Sequence, residues 1–229
     1  MVRSSLLGAP VREAVLAGHT GDLDTALRLV ADRDPAVRAV ALGALSRIGA
    51  LDTDVLTAAM SDPDAAVRRR ACALGGRAVA PPDTDGPDGA GRNGGSDPAE
   101  ARVGLVLDAL LGALTSDTDP SVVESAAWGL GEAGSSCGPG VVEALEAVTR
   151  NHSDPLCREA AVAALGAIGD RAALDSVLVA LKDKPAIRRR ATIALAAFDD
   201  PRVDVALQKC LEDRDWQVRQ AAEDLLGRS

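Results

Sequence analysis

The sequence predicts an all-α protein, a right-handed α-solenoid of about six stacked two-helix repeats. Three observations predict it. Tyr is absent and Phe occurs once in 229 residues, so the side chains that favour pleated sheets are scarce. Good helix formers such as Ala and Leu dominate a composition that is 47% hydrophobic, and small side chains require closely packed helices. Most decisively, six similar segments recur along the chain, and a repeat of this length marks a stacked array.

The segments are DPAVRAVALGALSRIG (34–49), DAAVRRRACALGGRAV (64–79), DPSVVESAAWGLGEAG (119–134), DPLCREAAVAALGAIG (154–169), KPAIRRRATIALAAFD (184–199) and DWQVRQAAEDLLGRS (215–229). Their first core positions are Val37, Val67, Val122, Cys157, Ile187 and Val218. Counting from these as position 0, every copy has Ala at position 4, and five of the six have Leu at position 8. Position 11 reads Ile48, Ala78, Ala133, Ile168, Phe198 and Ser229. Positions 0, 4, 8 and 11 share one face of an α-helix. The Ala methyl at position 4 admits a partner helix that a larger side chain would push away.

The elements follow in order. Residues 4–17 read as an extra helix, and 1–20 as a cap over the outer apolar face of the first repeat. Repeats 1 and 2 occupy 21–79. Within each repeat an apolar helix A, such as LDTALRLVA (23–31), precedes helix B. Asp34, Asp119 and Asp154 are placed to cap helix B, with a Pro next in line. The step from Val67 to Val122 is longer than the others. It marks an insertion at 80–100, rich in Pro, Gly and Asp, whose composition predicts disorder. Repeats 3–6 fill 101–229 and continue the same solenoid.

The shared pattern D-P-x-V-R-x-x-A-x-x-A-L-G-x-I-G resembles HEAT repeats, in particular the short HEAT-like repeats typified by phycobilisome bilin lyases. The resemblance covers nearly all of the chain outside 1–20 and 80–100. It implies that the B helices line a concave surface. It also implies that an Asp–Arg ladder ties the units together.

Position 1 carries Arg38, Arg68, Arg158, Arg188 and Arg219, and Val123 in the third unit. It lies at the edge of the core face, where a paired charge fits. These residues read as a structural ladder, pairing with turn residues such as Asp34 or Asp64; the alternative is a basic track for phosphates. Positions 2 and 6 point away from the core, onto the inferred groove. There Glu124 and Glu159 are flanked by Arg69 and Arg189, with Trp128 the one large ring. These five are the candidate partner-binding residues. An exposed Trp among small neighbours is a plausible docking centre; packing against an adjacent B helix, or lying under the insertion, are the alternatives. Trp216 is expected to cover the C-terminal end of the stack.

No catalytic constellation is found. His19 and His152 are isolated, and neither has a metal-ligand partner at useful spacing. Neither is followed by Glu, so the His-Glu pairs of the HEAT-like deoxyhypusine hydroxylases do not carry over. Asp83, Asp85 and Asp88 miss the EF-hand spacing. No metal and no cofactor are expected. Cys72, Cys137, Cys157 and Cys210 read as reduced, mostly buried thiols. The net charge of −9 disfavours nucleic acid as a partner. No apolar run is long enough to span a membrane, and the N-terminus does not read as a signal peptide. Lys occurs only at 182, 184 and 209, a bias towards Arg that suggests a high-GC bacterial genome. The expectation is a cytoplasmic, non-enzymatic scaffold that binds another protein. An accessory role beside a bilin-lyase-like enzyme, and recognition of DNA lesions, are the alternatives; the acidic charge disfavours the second.

Overall fold

The computed structural model describes residues 8–80, 98–138 and 140–227. Thirteen α-helices account for most of them. They are α1 (Ala9–Thr20), α2 (Leu23–Leu29), α3 (Pro35–Ile48), α4 (Thr53–Met60), α5 (Ala65–Val79), α6 (Pro98–Ser116) and α7 (Pro120–Ala133). Then come α8 (Val141–Asn151), α9 (Pro155–Ile168), α10 (Leu174–Ala180), α11 (Pro185–Ala194), α12 (Pro201–Cys210) and α13 (Trp216–Leu225). No strand occurs among the described residues.

The starts and stops have local causes. Asp34, Asp64, Asp119, Asp154 and Asp215 each accept a hydrogen bond from the backbone N–H two residues on. This satisfies one of the donors that a helix start leaves without an intrahelical partner. Helices α3 and α9 end on Gly49 and Gly169, at φ 79° and 68°, a left-handed conformation that costs glycine little.

Helices α3, α5, α7, α9, α11 and α13 pack in sequence as one layer, the B layer. Each rests on the A helix before it, from α2 to α12. The N-terminal helix lies on both helices of the first repeat. Helix α1 begins at Ala9, with Pro10 in its first turn, and lies against α3 as each B helix lies on the next. It therefore extends the B layer by one helix. The part of the expected 4–17 helix before residue 8 lies outside the described residues.

Helix α6 starts at Pro98, so the last residues of the expected insertion, 98–100, are helical. Pro is well suited to a first helical position, because its missing N–H would have no partner there. Residues 81–97, with the expected disorder and the three Asp, lie outside the described residues. Across them α5 packs on both α6 and α7.

Positions 0 and 4 are buried in all six B helices of the two-helix units. Position 8 is fully buried as Leu45, Leu130, Leu165 and Leu195. Unit 2 has Gly75 there, and a side chain at that point would collide with Met60 of α4; Met60 fills the volume that Leu occupies elsewhere. Position 11 is less uniform than its helical phase suggests. Ala133 and Phe198 are buried, Ile48 and Ile168 half-buried, and Ala78 exposed. It lies in the last turn, where the chain leaves the stack. Adjacent B helices also meet at glycines on position 9. A Cβ on Gly131 would stand 3.0 Å from the Ala164 Cα, and one on Gly166 2.9 Å from the Ala194 Cα.

Candidate functional site

Two sets of arginines organise the charged chemistry of the stack. The first runs along the A–B turns. Arg38 donates from Nε and Nη2 to the Asp62 carboxylate at 2.8 and 2.7 Å. Arg68 does the same to Asp117 at 2.6 and 2.9 Å, Arg158 to Asp183 at 2.7 and 2.8 Å, and Arg188 to Asp213 at 2.8 and 2.7 Å. Each guanidinium also donates Nη1 to carbonyl oxygens of its own A–B turn. One side chain thus closes its own turn and grips the next unit through a planar two-pronged contact. Asp34 and Asp64, expected as Arg partners, instead cap their own helices. The true partners stand in the turn of the following unit. Arg219 donates to the Asp213 carbonyl at 2.8 Å.

The ladder skips one rung. Val123 stands where the third unit would have its Arg, and it is 2% exposed. In the next unit His152 occupies the matching turn, and its Nδ1 accepts the Asp154 backbone N–H at 3.1 Å. In units 1, 2, 3 and 6 an Asp carboxylate accepts the corresponding N–H. A carboxylate at 152 would have no Arg to pair with, and the imidazole keeps the backbone bond without it.

The electrostatics follow the geometry. Hydrogen bonds from Arg68, Arg158 and Arg188 hold Asp117, Asp183 and Asp213 below the usual carboxylate range. For Asp62 burial pushes upward, and the Arg38 fork with the Asp64 N–H outweighs it.

The second set lies on the B-helix surface. Trp128 is 40% exposed. The Arg190 guanidinium of α11 lies over its ring, 5.4 Å from Cζ to the ring centroid. That side chain also stands 3.7 Å from the Glu159 carboxylate of α9. Three consecutive B helices are thereby joined through cation, ring and carboxylate. Arg190 was not among the expected residues. At position 3 it points to the core edge of its own helix, and in the stack that edge faces the preceding B helix.

The five expected residues do not form one site. Trp128 and Glu159 come together through Arg190. Glu124 is half-buried on α7 and influences the Cys157 thiol. Arg189 is exposed and makes no ion pair among the described residues. Arg69 belongs elsewhere: with Arg70 and Arg47 it lines a hollow of about 250 Å³ where α1, α3 and α5 meet. On the A-helix side, a hollow of about 630 Å³ opens between α10 and α12. Trp216 is 61% exposed, so its ring is not packed away at the end of the stack.

A model of the HEAT repeats family matches residues 142–227. YibA of Escherichia coli has a similar structure, with a TM-score of 0.65 and 17% identity over 98% of this chain and 77% of that one. The chain is an α-solenoid of stacked two-helix repeats, and its residues 142–227 match HEAT repeats. The complex of CpcE and CpcF of phycocyanin lyase from a Nostoc species is also similar, with a TM-score of 0.57 and 20% identity over 99% and 78%. So is a designed armadillo repeat protein in complex with the peptide (KR)4, with a TM-score of 0.56 and 15% identity over 98% and 99%. No curated protein matches in sequence.

The thiols of the solenoid are set by their burial. Burial pushes the Cys72 thiol up to about 12 and the Cys157 thiol up to about 11, which keeps both protonated and unreactive. Cys157 donates to the Pro120 carbonyl at 3.1 Å, bracing α9 on the start of α7. Cys137 is only half-buried and donates to the Leu130 carbonyl at 3.2 Å. Among the described residues, no group of His, Cys, Asp and Glu could hold a metal ion. Among them too, no helix is long and apolar enough to cross a membrane.

Proposed function

We propose that the chain is a non-catalytic scaffold that holds a partner protein on the concave face of its B helices. One observation carries this. Trp128 remains 40% exposed although Arg190 covers one face of its ring and small residues surround it. A large ring held rigid by a neighbouring cation, with apolar area still open to solvent, is the kind of anchor on which protein interfaces concentrate their energy. Glu159 and Arg190 supply polar contacts beside it, and Glu124, Arg189 and Arg69 lie on the same layer. The fold supports the role, because a stack of repeats presents an extended surface. Similar structures include a two-protein complex and a repeat protein with a bound peptide.

We read repeats 1–2 and 3–6 as one body, which the packing of α5 on α7 supports. We place the role in the cytoplasm, where unpaired cysteines such as these persist reduced. Trp128→Ala tests the docking centre. The variant should keep its helical content, lose at most a few degrees of melting temperature with the cation–ring contact, and lose partner capture from the source cell. Capture at unchanged affinity would overturn the assignment.

A further inference from the structure

The hollow between α1, α3 and α5 holds an electrostatic arrangement that the stack does not resolve by itself. Arg70 lies across α3 at Gly43, where any side chain would collide with its guanidinium. Arg47 and Arg69 line the same hollow, and Arg77 lies one helix end away on α5. Among the described residues none of these four has an ion pair. Along the rest of the B layer Arg38, Arg68, Arg158 and Arg188 each take a carboxylate and Arg190 has Glu159, whereas the unpaired Arg189 is exposed to water and Arg219 has a carbonyl. Burial first, and then Arg77, Arg47 and Arg69, make the charged form of Arg70 harder to keep than in water. Four arginines gather here in a chain whose net charge is −9. A half-buried guanidinium without a counter-ion is costly, and a bound carboxylate would relieve both the burial and the mutual repulsion.

We propose that this hollow receives the side-chain carboxylates of an acidic segment of a partner protein, with Arg70 as the central contact and Arg47 and Arg69 at its sides. Val15, Ala39 and Val40 complete the lining and suit the methylene stem of a Glu. The volume of about 250 Å³ accommodates one or two such side chains. A nucleic acid is the weaker fit. The hollow with its cluster of unpaired arginines lies at one end of the B layer, while Glu124, Glu159 and Asp224 further along would repel a phosphate backbone. This site rests on the reading of the B-helix face as the partner-binding face, and it gives that partner a chemistry.

The test is fluorescence anisotropy with a labelled short oligoglutamate peptide, at low and at physiological salt. The wild-type chain should bind it and bind more weakly as salt rises. Arg70→Gln should weaken binding about tenfold, the loss of one charge-assisted contact, and R47Q/R69Q/R70Q together should abolish it. Gly43→Ala should also weaken it, by displacing Arg70 without removing a charge. Arg214→Gln, an exposed arginine at the far end, should change nothing. Circular dichroism identifies variants that remain folded. A folded triple variant that binds like wild type overturns the proposal, as does oligolysine binding equally well. So does a short DNA duplex that binds more tightly than oligoglutamate and loses that binding in the triple variant. Trp128→Ala separates the two assignments. If it keeps partner capture while Arg70→Gln loses oligoglutamate, the docking centre fails and the acidic-segment site stands.

Discussion

Residues 68–70 and 188–190 are the same tripeptide, Arg-Arg-Arg, at the same register of two B helices. The first Arg of each joins the ladder, and the second of each is exposed. The third differs. Arg190 finds a ring and a carboxylate, whereas Arg70 finds a glycine and three further arginines. Identical local sequence therefore gives one arginine a structural role and leaves the other needing a ligand. The difference lies in the preceding B helices: α9 offers Glu159 and α7 offers Trp128, while α3 offers Gly43 and Arg47.

The largest expected effect concerns what the triplets share, the ladder, and it comes from acid. Asp117, Asp183 and Asp213 lie below their ordinary range when folded, whereas in the unfolded chain they take up protons near ~3.9. Their contribution to stability is thus complete above that pH and is lost as pH falls through the lower folded values. The junction between units 3 and 4 has Val123 and His152 in place of such a pair. Hydrogen exchange as pH is taken below ~3.9 should show the Asp-bridged junctions opening first, with the α7–α9 contact more persistent. Uniform loss of protection would mean that the ladder does not set the strength of individual junctions.

Single rungs come next. The Arg188 side chain is 6% exposed and its partner Asp213 15%. Arg188→Ala leaves a carboxylate without its cation and should cost ~3–5 kcal/mol in chemical denaturation. Arg68→Ala should cost a similar amount, since its geometry is the same. Equal losses would place the difference between the triplets entirely in their third arginines. A much smaller loss at Arg68 would extend it to the first.

Much of this was legible in the chain itself. The repeat period, the Asp caps and the buried faces at positions 0 and 4 depend on one helix at a time, and the period of a single helix reports them. The Arg partners were not legible in the same way. Arg38 reaches over a turn to Asp62 in another unit, and positions on one helix do not say which residue of the next comes opposite. The same holds for Arg190, whose position is peripheral on an isolated helix and central in the stack. One signal was available: Val123 and His152 depart from the pattern together, as paired positions do. Which helix α1 would lie against was not legible either, because its buried residues are Ala14, Ala17 and Gly18, too small to announce a packed face.

A smaller effect probes the stacked pair. Arg190→Ala removes the cation from the Trp128 ring and the partner from Glu159. It should cost ~0.5–1 kcal/mol, the range for a cation over an exposed ring. Trp fluorescence should change as well, because only Trp128 and Trp216 report and Trp216 lies elsewhere.

The smallest effect has the opposite sign. Arg70→Gln removes a half-buried charge that three arginines repel and no carboxylate offsets. In ligand-free protein at low salt it should leave stability unchanged or raise it by a few tenths of a kcal/mol, within the range of surface charge effects. Added salt should narrow the gap between variant and wild type, because screening weakens the same repulsion. Oligoglutamate should do more, raising the melting temperature of wild type and not of the variant, since a ligand that binds only the folded state stabilises it. If Arg70→Gln instead destabilises the chain as Arg190→Ala does, then Arg70 is a packing element like its counterpart. The two triplets would then differ in their neighbours without differing in role.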